Sequence, residues 1–251
     1  MEFYNPFSLE NRNILITGAS SGIGKATAIE CSKLGAKIIL TGRNLEGLEN
    51  TYNSLSGEGH KILSADLRNI VEIERLTDEV SSLDGLVNNA GQNILQLVPF
   101  IKNQTIKDIF QINVFAPIIL LKTLVKKKKL RNGSSIVFTS SISGKDICYL
   151  GNSLYSTTKG ALISFMKNAA LDLAHKKIRC NAVLPGLIES PLKQKKREIS
   201  SEQWETNKKM YPLERLGQPK DVALAIVFLL SEASCWITGA EIKIDGGRSL
   251  V

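Results

Sequence analysis

The sequence predicts an α/β fold with a doubly wound parallel sheet of about seven strands and helices on both faces. Short apolar runs alternate with helical patterns along almost all of the 251 residues. Several of these runs are β-branched and apolar on both sides, as strands covered by helices on both faces must be. The crossovers should therefore be right-handed, and a ligand should bind beyond the carboxyl ends of the strands.

The short apolar runs and the helical patterns predict the following strands and helices, in chain order. Strands are predicted at 13–17, 36–41, 60–64, 84–88, 135–140, 178–184 and 241–245. Helices are predicted at 23–34, 45–55, 69–81, 103–131, 153–176 and 219–231. The polar, Lys-rich stretch from Gly186 to Pro212 directly follows a strand, so we predict a substrate lid near 187–212. No linker or repeat divides the chain, which predicts a single domain over 1–251.

Composition excludes several classes of protein. Hydrophobic residues make up 43% of the chain and charged residues 22%, which argues against disorder and against a fibrous repeat. The longest apolar run, Val222 to Leu230, is far shorter than the ~20 residues of a membrane span. The first residues lack the pattern of a signal peptide. Four Cys without Cys-x-x-Cys spacing predict reduced thiols and a cytoplasmic location.

The formal net charge of +8 permits a polyanionic partner. A basic, solvated surface explains the same charge without any partner. No recognition motif or aromatic stacking pattern supports nucleic-acid binding, so we expect neither nucleic acid nor a membrane as partner. His60 and His175 have no metal-ligand spacing, so no metal site is predicted.

A glycine-rich turn, TGASSGIG at 17–24, joins the first predicted strand to the first helix. Gly18 permits a sharp turn, Gly22 removes the Cβ that would block a pyrophosphate, and Gly24 lets the helix lie close to the strand. The pyrophosphate would then meet the positive N-terminus of the helix. The predicted phosphate contacts include the residues between the glycines: Ser20, Ser21 and Ile23. The spacing differs from Gly-x-Gly-x-x-Gly, and a turn without a ligand is the alternative.

The end of the second predicted strand bears on the choice of cofactor. An NAD site usually places Asp or Glu here, whereas this chain has Gly42 followed by Arg43. A guanidinium can pair with the 2′-phosphate of NADP, which a carboxylate would repel. We therefore predict a preference for NADP(H). The alternative is a solvated Arg43 in an enzyme that also accepts NAD(H).

Two further turns follow the third and fourth predicted strands. Asp66 and Leu67 lie where an adenine ring would be contacted. Asn89, Ala90 and Gly91 would let the backbone approach the cofactor's ribose and would tie neighbouring strands together. A purely structural turn accounts equally well for this second group.

Tyr155 and Lys159 share one face of a predicted helix because they are four residues apart. A free tyrosine has a pKa near ~10, and a nearby Lys⁺ together with an oxidised nicotinamide would lower that pKa. The pair could then protonate a carbonyl oxygen as hydride reaches its carbon. Ser141, at the end of the fifth strand, would hold the substrate oxygen. Asn113, inside a predicted helix, could hold a water that relays protons to Lys159.

Together these residues resemble the short-chain dehydrogenase/reductase family, from Asn13 to about Gly247. The resemblance rests on TGASSGIG at 17–24, NNAG at 88–91, Asn113, Ser141, YSTTK at 155–159, Pro185-Gly186 and residues 237–247. It implies a Rossmann-like fold and an enzyme that interconverts a ketone and a secondary alcohol with a nicotinamide cofactor. The loop after Ser141 is one residue longer than is common in the family, which leaves Ser140 as an alternative to Ser141.

The resemblance also assigns roles to individual residues. It implies a catalytic tetrad of Asn113, Ser141, Tyr155 and Lys159, with Tyr155 as the acid/base and Lys159 also on the nicotinamide ribose. It implies cofactor contacts from the segment after the sixth strand: Pro185, Gly186, the Ile188 backbone and Ser190. Residues 237–247 resemble the family's subunit-contacting terminus, so a homotetramer or homodimer is expected.

Within the family the chain is most similar to 3-oxoacyl-[acyl-carrier-protein] reductases, and next to the sugar, polyol and steroid dehydrogenases. Basic clusters at 126–131, 176–179 and 193–197 would suit an acidic acyl carrier protein, or would simply complement helix dipoles. A remote alternative is a regulator that binds a dinucleotide without catalysis. Loss of Tyr155 or Lys159 would have supported it, and both are present.

Overall fold

A parallel sheet of seven strands forms the centre of the molecule in the computed structural model, which describes residues 4–189 and 206–251. The strand order is β3-β2-β1-β4-β5-β6-β7, so the chain returns to the middle of the sheet after β3. This reversal places a switch point between β1 and β4, where α/β sheets bind ligands. The strands are β1 Asn13–Thr17, β2 Lys37–Thr41, β3 Lys61–Ile62, β4 Leu83–Asn88, β5 Leu130–Thr139, β6 Arg179–Pro185 and β7 Glu241–Ile244.

Helices cover both faces of this sheet, which confirms the predicted fold class. One apolar layer joins the sheet to Leu76, Leu120 and Leu162 on three different helices. The other layer contains Ala28 and Ile226. The helices are α1 Gly22–Lys33, α2 Leu45–Tyr52, α3 Ile70–Glu79, α4 Asn103–Phe110, α5 Ala116–Lys126, α6 Ser153–Leu173 and α7 Pro219–Leu230.

The longest apolar run of the sequence forms α7 because this helix is covered by both the sheet and α1. Val222, Ile226 and Leu230 are buried there. The start of the helix is defined by Pro219 in its first turn and by Asp221, whose carboxylate accepts the Gln218 N–H at 2.7 Å.

The prediction of one helix over 103–131 is confirmed over Asn103–Lys126, although a π-helical turn interrupts its middle, and is wrong at its end. A π-helical turn at Gln111–Phe115 separates α4 from α5, and the chain becomes extended again at Leu130. Lys128 adopts a left-handed conformation with φ +54°, which ends the helix without a glycine and so left no sequence signal. The third strand is also shorter than predicted, with only Lys61–Ile62 paired.

β5 begins five residues before its predicted start because its first part bulges. Leu83 pairs with Leu130 and Gly85 pairs with Ser135, so the single residue Asp84 faces residues 131–134. Gly133, with φ +83°, permits the bend. The polar bulge hid this part of the strand from the apolar pattern.

The run Asn103–Lys126 is the one helix in the described part of the chain that has the length and apolarity of a membrane span. Its most apolar window has a mean hydropathy of 1.6, and half of that window is buried inside the protein. The buried side packs against α3 and α6. Core helices of α/β domains meet the same criteria of length and composition.

Candidate active site

A continuous cleft lies beyond the carboxyl ends of the strands and consists of three adjoining cavities. The first, of about 580 Å³, contacts the glycine turn and the ends of β2, β3 and β4. The second, of about 210 Å³, is lined by Tyr155 and Lys159 and shares Gly91 with the first. The third, of about 260 Å³, shares Ser141 and Tyr155 with the second. A dinucleotide therefore has room in the first two cavities, with the third left for a substrate.

The glycine turn has the geometry that a pyrophosphate requires. Gly18 and Gly22 have φ values of +65° and +55°. A Cβ on Gly24 would lie 2.3 Å from the Gly18 oxygen, so only glycine allows this approach of α1. Ser21 caps α1 without a side-chain hydrogen bond, which leaves first-turn N–H groups free of a side-chain cap. These observations fit a dinucleotide phosphate.

Gly22 differs in one respect from the prediction. A Cβ at position 22 would have no protein atom within 4 Å. Within the protein, glycine is therefore needed at this position because of the left-handed backbone conformation and not because of crowding. Ser20 and Ser21 line the first cavity, and Ile23 lines the second.

The turn after β4 ties two strands together. The Thr17 hydroxyl accepts the N–H groups of Asn89 and Ala90, both at 2.9 Å, and donates to the Val87 carbonyl at 3.2 Å. The Asn89 amide donates to the Thr17 carbonyl at 3.1 Å. The structural role of this turn is therefore clear, and Asn89, Ala90 and Gly91 also line the first cavity.

Arg43, Asp66 and Leu67 lie together at the far end of the first cavity. Asp66 forms an ion pair with Arg68 at 2.6 Å. The pKa of Asp66 is lowered, first by its hydrogen bond from Arg68 and to a smaller extent by Arg43. Arg68 was not predicted, although its spacing of two residues from Asp66 was the available signal. The Arg43 side chain is exposed and forms no ion pair within the described residues.

Helix α6 crosses the loop after β5 in backbone contact. A Cβ on Gly144 would lie 2.8 Å from the Lys159 carbonyl carbon, and a Cβ on Gly160 would lie 2.9 Å from the Gly144 oxygen. The Ser140 hydroxyl donates to the Lys159 carbonyl at 3.0 Å. Ser140 is thus used in joining loop and helix.

Ser141 borders both cavities that Tyr155 borders, and it acts to lower the pKa of the Tyr155 phenol. The Lys159 ammonium lies 5.6 Å from the centre of the Tyr155 ring and donates to the Thr139 carbonyl at 2.7 Å. The geometry therefore brings Ser141, and not Ser140, to the phenol.

Asn113 lies in the π-helical turn and is fully engaged by the protein. Its Oδ1 accepts the Gln92 N–H at 2.9 Å, and its Nδ2 donates to the Gln92 carbonyl at 2.9 Å and to Thr158 Oγ1 at 3.0 Å. Thr158 in turn donates to the Tyr155 carbonyl at 2.7 Å. Asn113 therefore links the loop after β4 to α6. A water-relay role for it stays a prediction.

Burial determines the titration of the Tyr155–Lys159 pair. It lowers the pKa of Lys159 to about 8. It raises the pKa of Tyr155, against which Ser141 acts. In the protein by itself, burial outweighs any effect of the Lys159 ammonium on the pKa of Tyr155. The expectation that Lys159 and an oxidised nicotinamide together lower this pKa stays a prediction. The positive charge of an oxidised nicotinamide would act to lower the pKa of Tyr155.

The segment after β6 approaches the same cleft. Pro185, Gly186 and Ile188 line the second cavity. Ser190 and the basic residues of 193–197 lie outside the described residues, as does most of the predicted lid. His60 has a structural environment, since its ring nitrogens contact the Ile38 N–H at 3.1 Å and the Ser56 carbonyl at 3.0 Å.

The doubly wound sheet, the glycine turn at its switch point and the buried Tyr–Lys pair define a class of protein, the dinucleotide-dependent oxidoreductases. Comparison with known proteins narrows this class. The family described as enoyl-(acyl carrier protein) reductase matches residues 18–249. The 3-oxoacyl-[acyl-carrier-protein] reductase FabG of Rickettsia bellii is 35% identical over 243 residues, which cover 97% of this chain and 99% of that protein.

Solved structures agree with this assignment. The RhlG/NADP active-site complex of Pseudomonas aeruginosa has a TM-score of 0.90 at 26% identity and covers 98% of this chain and 100% of that one. A short-chain dehydrogenase family protein of Francisella tularensis has a TM-score of 0.84 at 33% identity, over 96% of this chain and 99% of that one. The chain belongs to the short-chain dehydrogenase/reductase family. It is an oxidoreductase that uses a nicotinamide dinucleotide.

The lowered pKa of Lys159 predicts a pH-dependent contribution to stability. Lys159 loses its proton near pH 8 in the folded protein and near ~10.4 in the unfolded chain. Between these values the unfolded chain binds more protons, so the free energy of unfolding rises with pH. Below pH 8 both states are protonated, and the cost of burying the charge is constant. Lys159→Met removes this cost.

Urea denaturation of both proteins from pH 7 to 10.5 measures the effect. The wild-type free energy of unfolding minus that of Lys159→Met should rise by up to about 3 kcal/mol. Burial raises the pKa of Cys31 and raises that of Cys180 to about 12, which acts in the opposite direction but equally in both proteins. Lys122→Met, at an exposed position, is the matched control. A difference that stays flat over this range would contradict the buried-ammonium assignment.

Proposed function

We propose that this protein reduces 3-oxoacyl thioesters to 3-hydroxyacyl thioesters with NADPH, and that Tyr155 is the acid/base. The observation that carries the proposal is the position of the Ser141–Tyr155 pair, which borders both the second cavity and the third. A ketone bound in the third cavity would thus meet a hydroxyl pair beside the place of a nicotinamide. The name of the Rickettsia relative supports a 3-oxoacyl thioester as the ketone.

The protein supplies the proton and its placement, while a bound nicotinamide supplies the chemistry of hydride transfer. Because the pKa of Tyr155 is raised, its phenol is protonated at neutral pH and can donate to the ketone oxygen as charge develops there. Ser141 holds that oxygen from the second side. The Lys159 ammonium then stabilises the phenolate, and Asn113 keeps the loop before the site in register with α6.

The preference for NADPH rests on the surroundings of Arg43. Asp66 is the carboxylate among the residues that line the first cavity, and Arg68 neutralises it. The Arg43 guanidinium is therefore available for a 2′-phosphate, and no acidic side chain replaces it after β2. One structural relative is described as a complex with NADP. NAD(H) is the alternative cofactor.

The substrate is carried, in this proposal, by an acidic acyl carrier protein. In and beside the turns after α5 and α6, Lys127 and Arg131 pair with Asp78 and Asp84, at 2.6 and 2.7 Å. Five other lysines there form no ion pair with any residue that the structure describes: Lys126, Lys128, Lys129, Lys176 and Lys177. This basic surface fits an acidic partner.

The basic turns precede β5 and β6, so they lie at the edge of the sheet opposite Tyr155 of the same chain, about 20 Å away at ~3.3 Å per strand residue. We therefore place the carrier on one subunit of a homotetramer or homodimer and its acyl group in the cleft of a neighbouring subunit. Exposed apolar side chains along α4 and α5 and before them support an oligomer: Val98, Phe100, Ile106 and Phe115. We place the enzyme in the cytoplasm.

Replacing Tyr155 with Phe tests the acid/base role. The variant keeps the ring but cannot donate a proton, so NADPH should bind unchanged while turnover falls at least ~10³-fold. The measurement is NADPH oxidation with acetoacetyl-N-acetylcysteamine, beside binding of NADPH by fluorescence titration. A matched 2-enoyl thioester, a keto sugar and a keto steroid test the alternatives. Near-full activity of the variant would exclude this mechanism.

Removing the Arg43 side chain tests the cofactor preference. Arg43→Ala should weaken NADPH binding by about tenfold to a hundredfold, because one charged hydrogen-bonded pair is lost, and should leave NADH binding within twofold. Titration of both cofactors, with the exposed Lys61→Ala as control, measures the ratio. Equal weakening of NADPH and NADH would refute the assignment.

Reversing charge in the basic turns tests carrier binding. The double variant Lys128→Glu/Lys176→Glu should raise KM for an acyl-carrier-bound substrate about tenfold or more, and leave KM for the N-acetylcysteamine thioester unchanged. Lys61→Glu, at the β3 edge, is the matched control. An equal KM shift for both substrates, or none for either, would count against carrier docking on this surface.

A further inference from the structure

The carboxylate of Asp66 faces the first cavity, but its partner Arg68 is not among the residues that line that cavity. Asp66 Oδ1 accepts the main-chain N–H of Arg68 and its Nε–H, both at 3.0 Å. Asp66 Oδ2 accepts Nη2 of the same guanidinium at 2.6 Å. Two guanidinium nitrogens thus bind the two carboxylate oxygens in the fork geometry that arginine favours. A side chain outside the cavity therefore holds a charge that lies inside it.

The turn after β3 fixes this arrangement. The Asp66 carbonyl accepts the Asn69 N–H at 2.9 Å, and the Asn69 side chain caps α3 by accepting the Val71 N–H at 3.0 Å. The Arg68 carbonyl accepts Nε2 of Gln111, in the π-helical turn, at 3.1 Å. Residues 66–69 therefore form a closed turn that is attached to two helical segments. This turn folds Arg68 back onto Asp66.

Asp66 and Arg43 lie side by side at the ends of neighbouring strands. The contact between β2 and β3 continues beyond the paired residues, because the Ala65 N–H donates to the Gly42 carbonyl at 3.1 Å. Arg43 and Asp66 are the next residues of the two segments, and both line the first cavity. The pKa of Asp66 is lowered first by its bond from Arg68 and also by the charge of Arg43. Asp66 is therefore a possible competitor of a 2′-phosphate for the Arg43 guanidinium.

Arg68 removes this competition. In the structure Asp66 is paired with Arg68 and not with Arg43. Without Arg68, the same carboxylate would attract the Arg43 guanidinium and repel a phosphate beside it. A second carboxylate, that of Glu72, accepts the Asp66 N–H at 2.8 Å but does not line the first cavity. The charge that a 2′-phosphate would meet at this end of the cleft therefore depends on Arg68.

We propose that Arg68 is a positioning residue for cofactor selection: it holds the Asp66 carboxylate and so leaves Arg43 to bind a 2′-phosphate. This inference rests on the proposed preference for NADPH, and it makes that preference depend on a residue outside the cavity. The ligand class is an adenosine nucleotide with a 2′-phosphate. Arg68 acts on this ligand through Asp66 and does not contact it.

The test uses 2′,5′-ADP and 5′-AMP as probes, because they differ only in the 2′-phosphate, and calorimetric titration measures both affinities without turnover. Arg68→Gln should weaken binding of 2′,5′-ADP about threefold to tenfold, as expected for a partly exposed charge, and should change binding of 5′-AMP less than twofold. Arg131→Gln is the matched control, because Arg131 pairs with an aspartate at the opposite edge of the sheet with similar side-chain exposure, 49% against 43% for Arg68. It should leave both affinities within twofold.

The variant Asp66→Asn separates positioning from direct contact. Its side chain keeps the shape of Asp66 but has no charge with which to compete for Arg43. In the Asp66→Asn background, Arg68→Gln should therefore change the affinity for 2′,5′-ADP less than twofold. The same loss in both backgrounds would show that Arg68 binds the phosphate itself. No loss in the wild-type background would show an ion pair without a role in binding. Either result overturns the inference.

The proposed cofactor preference has its own test with the same probes. If Arg43→Ala weakens binding of 2′,5′-ADP and 5′-AMP equally, the preference for NADPH fails, and this inference fails with it. If Arg43→Ala selectively weakens 2′,5′-ADP while Arg68→Gln keeps the wild-type affinity, the preference stands and only the role of Arg68 is refuted.

Discussion

The backbone contact between α6 and the loop after β5 is the constraint on which the site depends. Gly144 and Gly160 allow the two backbones to touch, and no side chain fits between them. This contact places Lys159 within reach of the Thr139 carbonyl and lets Ser140 join the two elements. Tyr155, one helical turn earlier, then faces Ser141. The relative position of Tyr155, Lys159 and Ser141 is thus determined by backbone packing.

A consequence of this packing is that the ammonium and the phenol are buried together. Burial lowers the pKa of Lys159 to about 8 and raises that of Tyr155, so the pair by itself favours a protonated phenol. Such a site is suited to donating a proton, which reduction of a ketone requires. Oxidation of an alcohol requires the phenolate, and the positive charge of an oxidised nicotinamide would favour it. The two directions of the reaction therefore begin from different protonation states.

Sequence reasoning found the fold class and the elements that carry the cleft, because strand–helix alternation and glycine spacing are local signals. The sequence provided only a weak basis for preferring Ser141 to Ser140. Both hydroxyls follow β5, and the direction of each depends on how α6 crosses the loop. Sequence reasoning missed the π-helical turn around Asn113, because such a turn keeps helical apolar spacing on both sides. It did not anticipate that burial raises the pKa of Tyr155 in the protein by itself, because burial cannot be read from a spacing of four residues.

The substrate cavity was the least predictable part, and its construction explains why. Tyr149, Leu187 and Tyr211 come from three segments that are far apart in the chain and carry no shared motif. They meet because Gly186 and Gly246 leave space for the Tyr211 ring, a condition visible only in the fold. The approach of the glycine turn to the first cavity depends on glycines and backbone groups. The third cavity is lined by side chains of this particular chain, so under the proposed function specificity is determined there.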